Sequence, residues 1–139
     1  MGGQAKKNKW MDLLAYPLQG RLQKPRSQGL TMVIDKGLGL HEIKDLLDTA
    51  GDYLDFLKLG FGTSALYPQK ILEAKINLVK GYGVDIYPGG TFLEVAILQG
   101  KLVPFLHQAK ELGYTAVEIS DGTVKISEKT RENAIHRAL

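Results

Sequence analysis

TMVIDKGLGLHEIKDLLDTAGDYLDFLKLG, residues 31–60, is the stretch whose reading decides the fold. It opens on a short β-prone run, Thr31–Ile34, that stops at Asp35-Lys36-Gly37. Ile43, Leu46, Leu47 and Ala50 then recur at spacings of three and four, the period of one helix face. Gly51 stands where a helix stop belongs. Tyr53–Leu59 is a second β-prone run, closed by Gly60. Strand, helix and strand in this order make one βα unit and the start of the next.

The same alternation continues outward. Pro68 suits the first turn of a helix whose buried stripe is Leu72, Ile76 and Val79, with Gly81 and Gly83 at its end. Val84–Tyr87 reads as a third strand, followed by Pro88-Gly89-Gly90 and a helix beginning at Thr91. Thr91 and Glu94 have the spacing of a capping box. Gly100 interrupts that helix, Pro104 opens a second segment and Gly113 ends it near Leu112. Ala116–Ser120 is the expected fourth strand, and Ser127 the expected cap of a last helix. Strands starting near 31, 53, 84 and 116 with helices between them argue for a parallel sheet with helical crossovers.

On the other side of Thr31, residues 1–29 lack periodicity and read as a basic lead-in with one short helix near Trp10–Ala15. Residues 1–30 hold six Lys or Arg against one acid, while the whole chain carries a net charge of only +3. Such an arm attracts anions, and its plain alternative is a solvated leader. No aromatic residues interleave with the bases as a nucleic-acid surface would require, so no nucleic-acid partner is expected. The 44% hydrophobic and 24% charged content of the 139 residues is that of a globular protein. With no cysteine, disulfides and thiolate metal sites are excluded. There is no apolar run of membrane length and no secretory leader, so a cytoplasmic protein with no membrane partner is expected.

Two architectures take four βα units: an open doubly wound sheet and part of a closed barrel. The dinucleotide fingerprint is absent, since Gly37-Leu38-Gly39 runs on into Leu40-His41-Glu42, and the Walker loop is absent too. Polar residues gather at the C-terminal ends of the strands: Asp35 and Lys36, Lys58, Tyr87, Glu118 and Asp121. Barrel enzymes place their chemistry there. Alternation in Ala116–Ser120 turns Val117 and Ile119 to the helices and Glu118 inward, and the same parity brings Asp85, Tyr87 and Lys58 inward. On the first strand parity does not choose between Asp35 and Lys36. The expectation is an α/β fold of the (β/α)8 type with its first four βα units over residues 30–139. A whole barrel needs about 250 residues. The chain is then a truncated product, or one of two pairing halves, or an open sheet after all.

IDKGLG after the first strand, DYLDFLKLGFGTS through the second, YPGGTFLE after the third and EISDGTVKIS through the fourth resemble the phosphosulfolactate synthases in order and spacing, from Arg26 to Leu139. That family also has plant relatives linked to heat stress. The resemblance implies a barrel enzyme, a carbon–sulfur lyase, that adds sulfite to phosphoenolpyruvate with Mg²⁺, for coenzyme M in methanogens or sulfolactate in spore-forming bacteria. It leaves two rivals: a truncated or non-catalytic member, and another barrel enzyme acting on a small phosphorylated acid. A homo-oligomer is expected.

Attack of sulfite on the terminal carbon of phosphoenolpyruvate drives charge onto the carboxylate, and a proton must reach the neighbouring carbon. Mg²⁺ suits the first need, with one or two protein carboxylates and several waters. A positioned lysine suits the second. Under this reading Glu118 and Asp35 are the metal-ligand candidates. Their structural alternatives are an internal salt bridge for Glu118 and a turn-capping side chain for Asp35. Lys58 is the candidate acid or anion clamp and Lys36 a catalytic cation for sulfite or phosphate, against surface lysines. Gly60, Gly62, Thr63, Gly89, Gly90 and Asp121 are the substrate-binding candidates, against tight turns and a capping box. His41, His107 and His136 have no ligand spacing and read as surface residues.

Overall fold

The computed structural model describes residues 8–15, 20 and 22–139. Lys6, Lys7 and Arg21 of the basic arm lie outside the described residues. The elements are α1 (Trp10–Leu13), β1 (Met32–Asp35), α2 (Leu40–Ala50), β2 (Phe56–Leu59), α3 (Gln69–Gly81), β3 (Asp85–Pro88), α4 (Gly90–Leu98), α5 (Leu102–Leu112) and α6 (Glu128–Ala138). The three strands pair in the order β1-β2-β3, all parallel.

Several helix ends have a local reason. Glu42 turns back to accept the Gly39 N–H at 2.8 Å and starts α2. Pro68 is the N-cap of α3, and its carbonyl accepts from Ile71 and Leu72. Gly113, at φ +90, closes α5 in the left-handed region, where side chains with a Cβ are strained. Ser127 Oγ accepts the Thr130 N–H at 3.1 Å and caps α6 as expected.

Ile43 and Leu47 of α2, with Leu72, Ile76 and Val79 of α3, bury against Leu57, Leu59 and Ile86 of the sheet, together with Leu54 and Val84. Alternation leaves the other face to Met32, Ile34, Phe56, Lys58, Asp85 and Tyr87. Met32 and Ile34 are each 45% exposed there. A doubly wound sheet carries helices on both faces. Here α2 and α3 share one face and the strands follow each other in sequence order, an arrangement in keeping with a stretch of barrel wall.

Several expectations need correction. Gly51 is the C-cap of α2, at the expected stop, but it stays right-handed helical at φ −55 and opens a 3-10 turn over Gly51–Tyr53, so Tyr53 precedes the second strand. Gly81 is the last residue of α3, as expected, and the positive φ falls at Gly83. The fourth strand does not form: residues 116–120 carry no ladder. The reason lies in β3. Asp85 and Gly89 donate their N–H groups to β2, at Asp55 and Leu59. Ile86 and Pro88 therefore face the other way. Thr115 meets Ile86 through side chain and backbone, its Oγ1 accepting the Ile86 N–H at 2.9 Å and its N–H donating to the Ile86 carbonyl at 3.1 Å. Pro88 has no N–H to offer the next rung.

Lys24 and Arg26 tie the end of the lead-in to the sheet, while Trp10, Leu13 and Leu14 stay exposed, as in a solvated leader. Arg26 pairs with Asp55 at 3.0 Å, with 6% and 8% of the two side chains exposed, and reaches the Asp52 carbonyl. Lys24 donates to the Gly83 carbonyl. These contacts cover the N-terminal ends of β2 and β3. Burial lowers the Lys24 pKa, although Asp55 pulls the other way.

Candidate active site

The register places Ile34, Lys58 and Tyr87 in one row across the open face. Lys58 sits one residue before the C-terminal end of β2. Its Nζ reaches Glu118 Oε1 at 2.7 Å, and 20% and 27% of the two side chains remain exposed. The same oxygen accepts the Gly90 N–H at 3.2 Å, from the first residue of α4. A helix N-terminus carries partial positive charge and favours an anion. The anion held there is the Glu118 carboxylate. Tyr87 completes the group: burial, then the Glu118 charge and a hydrogen bond to it, push the phenol pKa up. The phenol stays protonated and can act as a donor. Phe56 meets the Tyr87 ring edge-on at 6.3 Å and forms the apolar floor.

The expected site residues divide into two sets. Lys58, Glu118 and Gly90 are brought together. Lys36 is exposed at the end of β1, with its stem near Gly60. Gly60 is buried, and a Cβ on it would stand 3.0 Å from Ile34 Cγ2. Gly62 lies in the open, where a Cβ meets nothing within 4 Å. Thr63 spends its hydroxyl on the Gly60 carbonyl at 2.7 Å. Gly89 allows a close backbone crossing, since a Cβ there would stand 2.7 Å from the Phe61 N. Phe61 itself is held at φ +51, rare for a non-glycine residue.

Asp35 goes elsewhere. It pairs in register with Leu59, on the helix-facing side of the sheet. It is 1% exposed. Oδ2 takes the Lys75 ammonium at 2.6 Å, and Oδ1 accepts the N–H groups of Gly37 and Leu38 at 2.8 Å each. Asp35 is thus a turn cap and ion-pair partner on the face opposite Lys58 and Glu118. Asp121 is exposed and pairs with Arg131 at 2.8 Å. His41, His107 and His136 are exposed, as surface residues should be.

The Thr91–Glu94 capping box is also overturned. Gly89 is the N-cap of α4 and no side chain caps it. Glu94 has no exposed surface and accepts from Ser120, Gly122, Thr123 and Val124. Two groups escaped the reading of the chain. Lys75 falls in the stripe Leu72-Lys75-Ile76-Val79, and a lysine at that spacing signals a buried partner. Ser64 and Tyr114 share a hydrogen bond at 2.7 Å, and burial drives the Tyr114 phenol up to about 12. The Ser64–Tyr114 pair has no sequence signature.

Among the described residues no three His, Cys, Asp or Glu side chains gather as a metal cage. Magnesium asks for less, one or two carboxylates with waters and substrate oxygens. Glu118 meets that need on the open face, while Asp35 cannot join it.

Fold and site together define a parallel α/β protein, in keeping with part of a barrel wall, with a polar site at the C-terminal ends of its strands. The chain belongs to the (2R)-phospho-3-sulfolactate synthase (ComA) family, which it matches over residues 19–139. It is 49% identical over 111 residues to a phosphosulfolactate synthase of Methanocaldococcus jannaschii, covering 80% of this chain and 44% of the relative. To the Methanothermobacter thermautotrophicus phosphosulfolactate synthase it is 38% identical, over 92% of this chain and 48% of the relative. To that of Bacillus subtilis it is 36% identical, over 87% and 47%. The chain spans about half the length of the curated relatives it matches. Among the described residues no helix is long and apolar enough to cross a membrane.

Proposed function

We propose that these residues are the part of a cytoplasmic (β/α)8 phosphosulfolactate synthase, a carbon–sulfur lyase, that carries its first four βα units. Its substrates are phosphoenolpyruvate and sulfite, and its product is (2R)-phospho-3-sulfolactate. The observation that supports this reading is the Lys58–Glu118 pair at the α4 N-terminus, on the rim where barrel enzymes react.

Sulfite offers its sulfur lone pair to the terminal carbon of phosphoenolpyruvate and a C–S bond forms. The C=C electron pair moves toward the substrate carboxylate, and protonation of the neighbouring carbon completes the addition. No group leaves. The Lys58 ammonium is the proton source, placed by Glu118. The exposed Lys36 draws the anions to the rim. The raised Tyr87 phenol donates a hydrogen bond rather than adding charge. Bound Mg²⁺, held by Glu118, would supply positive charge to the carboxylate as it gains electrons. Gly60 and Gly62 let the β2–α3 loop come close to a substrate.

The test is the polypeptide as its gene encodes it, supplied with phosphoenolpyruvate, sulfite and Mg²⁺ and followed by ³¹P NMR. A new phosphate-ester signal that needs all three is expected, with loss of about 10²-fold or more in rate in Glu118→Gln. An inert native protein, or a fully active Glu118→Gln, would refute the reading.

A further inference from the structure

The segment that carries Glu118 has almost no sheet to hold it. Its contact with the β3 ladder ends at Thr115. Something else must fix residues 116–124 against the site, because a carboxylate on a free segment loses its place through chain entropy.

That support comes from one helix. Gly90, Thr91 and Glu94 lie on the first turns of α4, and positions four apart share a face. The Gly90 N–H holds Glu118 at 3.2 Å. Thr91 Oγ1 meets Thr123 Oγ1 at 2.9 Å. Glu94 holds the rest: Oε1 accepts from the Ser120 hydroxyl and from the Gly122 N–H at 3.1 Å, and Oε2 from the N–H groups of Thr123 at 2.9 Å and Val124 at 2.5 Å. Three consecutive backbone donors around one anion form a nest. This nest is filled by a side chain of the neighbouring unit.

We propose that Glu94 is the positioning residue of the site: its carboxylate replaces the missing strand ladder, registers residues 120–124 on α4, and thereby holds Glu118 against Lys58. A grip that begins at Ser120, two residues beyond Glu118, and continues through the nest at 122–124 leaves the Glu118 carboxylate little freedom to leave Lys58. Burial alone would raise the Glu94 pKa, but the hydroxyl and three amide donors outweigh it and keep the group ionised. Charge is essential to the arrangement. A glutamine has the same shape but accepts at one oxygen only, so in either orientation its NH₂ would confront at least one N–H donor. This inference rests on the reading of Lys58 and Glu118 as the reacting pair, but its test uses no substrate.

The test is pulse acylation of lysine amines in the 139-residue chain, read by peptide mass spectrometry, with exposed Lys70 as the internal standard. Lys58 is shielded by its 2.7 Å contact with Glu118. In Glu94→Gln its labelling is expected to rise about tenfold, as when a charge-assisted hydrogen bond is lost. It should approach the rate in Glu118→Gln, while Glu94→Asp restores part of the protection. Amide exchange should quicken at Gly122, Thr123 and Val124 and stay slow at Ile43 and Ile76. Opened amides with Lys58 still protected would show that Glu94 holds the loop without placing Glu118, and would overturn the proposal. Unchanged amides would overturn it as well. If Glu94→Gln loses protection at Ile43 and Ile76, Ser120→Ala serves instead: a rise of about threefold at Lys58 is expected for one lost hydrogen bond, and no rise overturns the proposal. An enzyme inactive toward sulfite with this labelling pattern intact would refute the function and leave the positioning role standing.

Discussion

Lys75 and Asp35 form a fully enclosed ion pair, with no exposed side-chain surface on either partner. Tyr67 supplies its hydroxyl at 2.7 Å and its ring face at 4.1 Å, and the Leu38 carbonyl accepts as well. Each ammonium proton has a partner, which is how the interior tolerates a charge. Replacing Lys75 by Met strands the Asp35 charge. The expected loss is about 3 kcal/mol or more in a urea titration, and the double variant Asp35→Asn/Lys75→Met should recover part of it. A Lys75→Met chain as stable as the native one would show that the pair is dispensable. Glu94 makes a prediction in acid. Its folded pKa is depressed below 4.5, so its contribution is complete above the unfolded value. The contribution disappears as the pH falls through the lower folded value. Melting temperatures of the native chain and Glu94→Gln should therefore converge on acidification from about pH 6 to about pH 3. A gap of constant width would contradict the assignment.

At the scale of elements, the first turns of α4 grip residues 118–124. Gly90 is required there by space. A Cβ would stand 2.6 Å from Glu118 Oε1 and collide with Ser120. Gly90→Ala is expected to destabilise the chain by about 1–3 kcal/mol, as overpacking does. Gly62→Ala, with nothing within 4 Å, should leave the melt unchanged. Equal melts for the two variants would mean that the 118–120 segment yields freely. The stretch Ala116–Ser120 has the composition of a strand. It lacks the ladder because Pro88 and the Thr115 side chain remove two donors from the facing edge of β3. Both residues were visible in the chain, but the meeting of Thr115 with Ile86 was not, since 29 positions separate those two.

The whole molecule presents one covered and one open face. α2 and α3 seal the side of Leu57, Leu59 and Ile86, while Met32, Ile34, Phe56 and Tyr87 line the side they leave open. The outer edge of β1 has no strand partner among the described residues. Unpaired edges and apolar faces seek another chain. Light scattering of these 139 residues is expected to show dimers or larger species at micromolar concentration. A stable monomer across that range would contradict the expectation.

Period alone determined the three βα units, because helices and strands bury different sets of positions and the chain writes those sets locally. Motif order determined the family. Side-chain parity gave Lys58 and Glu118 a common face. Parity gave Asp35 no face at all, and spacing gave Glu94 the wrong partner, since a capping box and a nest contact look identical in a linear chain. Only tertiary structure decided those two. Where a carboxylate ends depends on which donors the fold delivers to it, and the donors here come from residues 37–38 and Lys75 for one and 120–124 for the other. Burial makes such pairings compulsory, and burial belongs to the folded molecule alone.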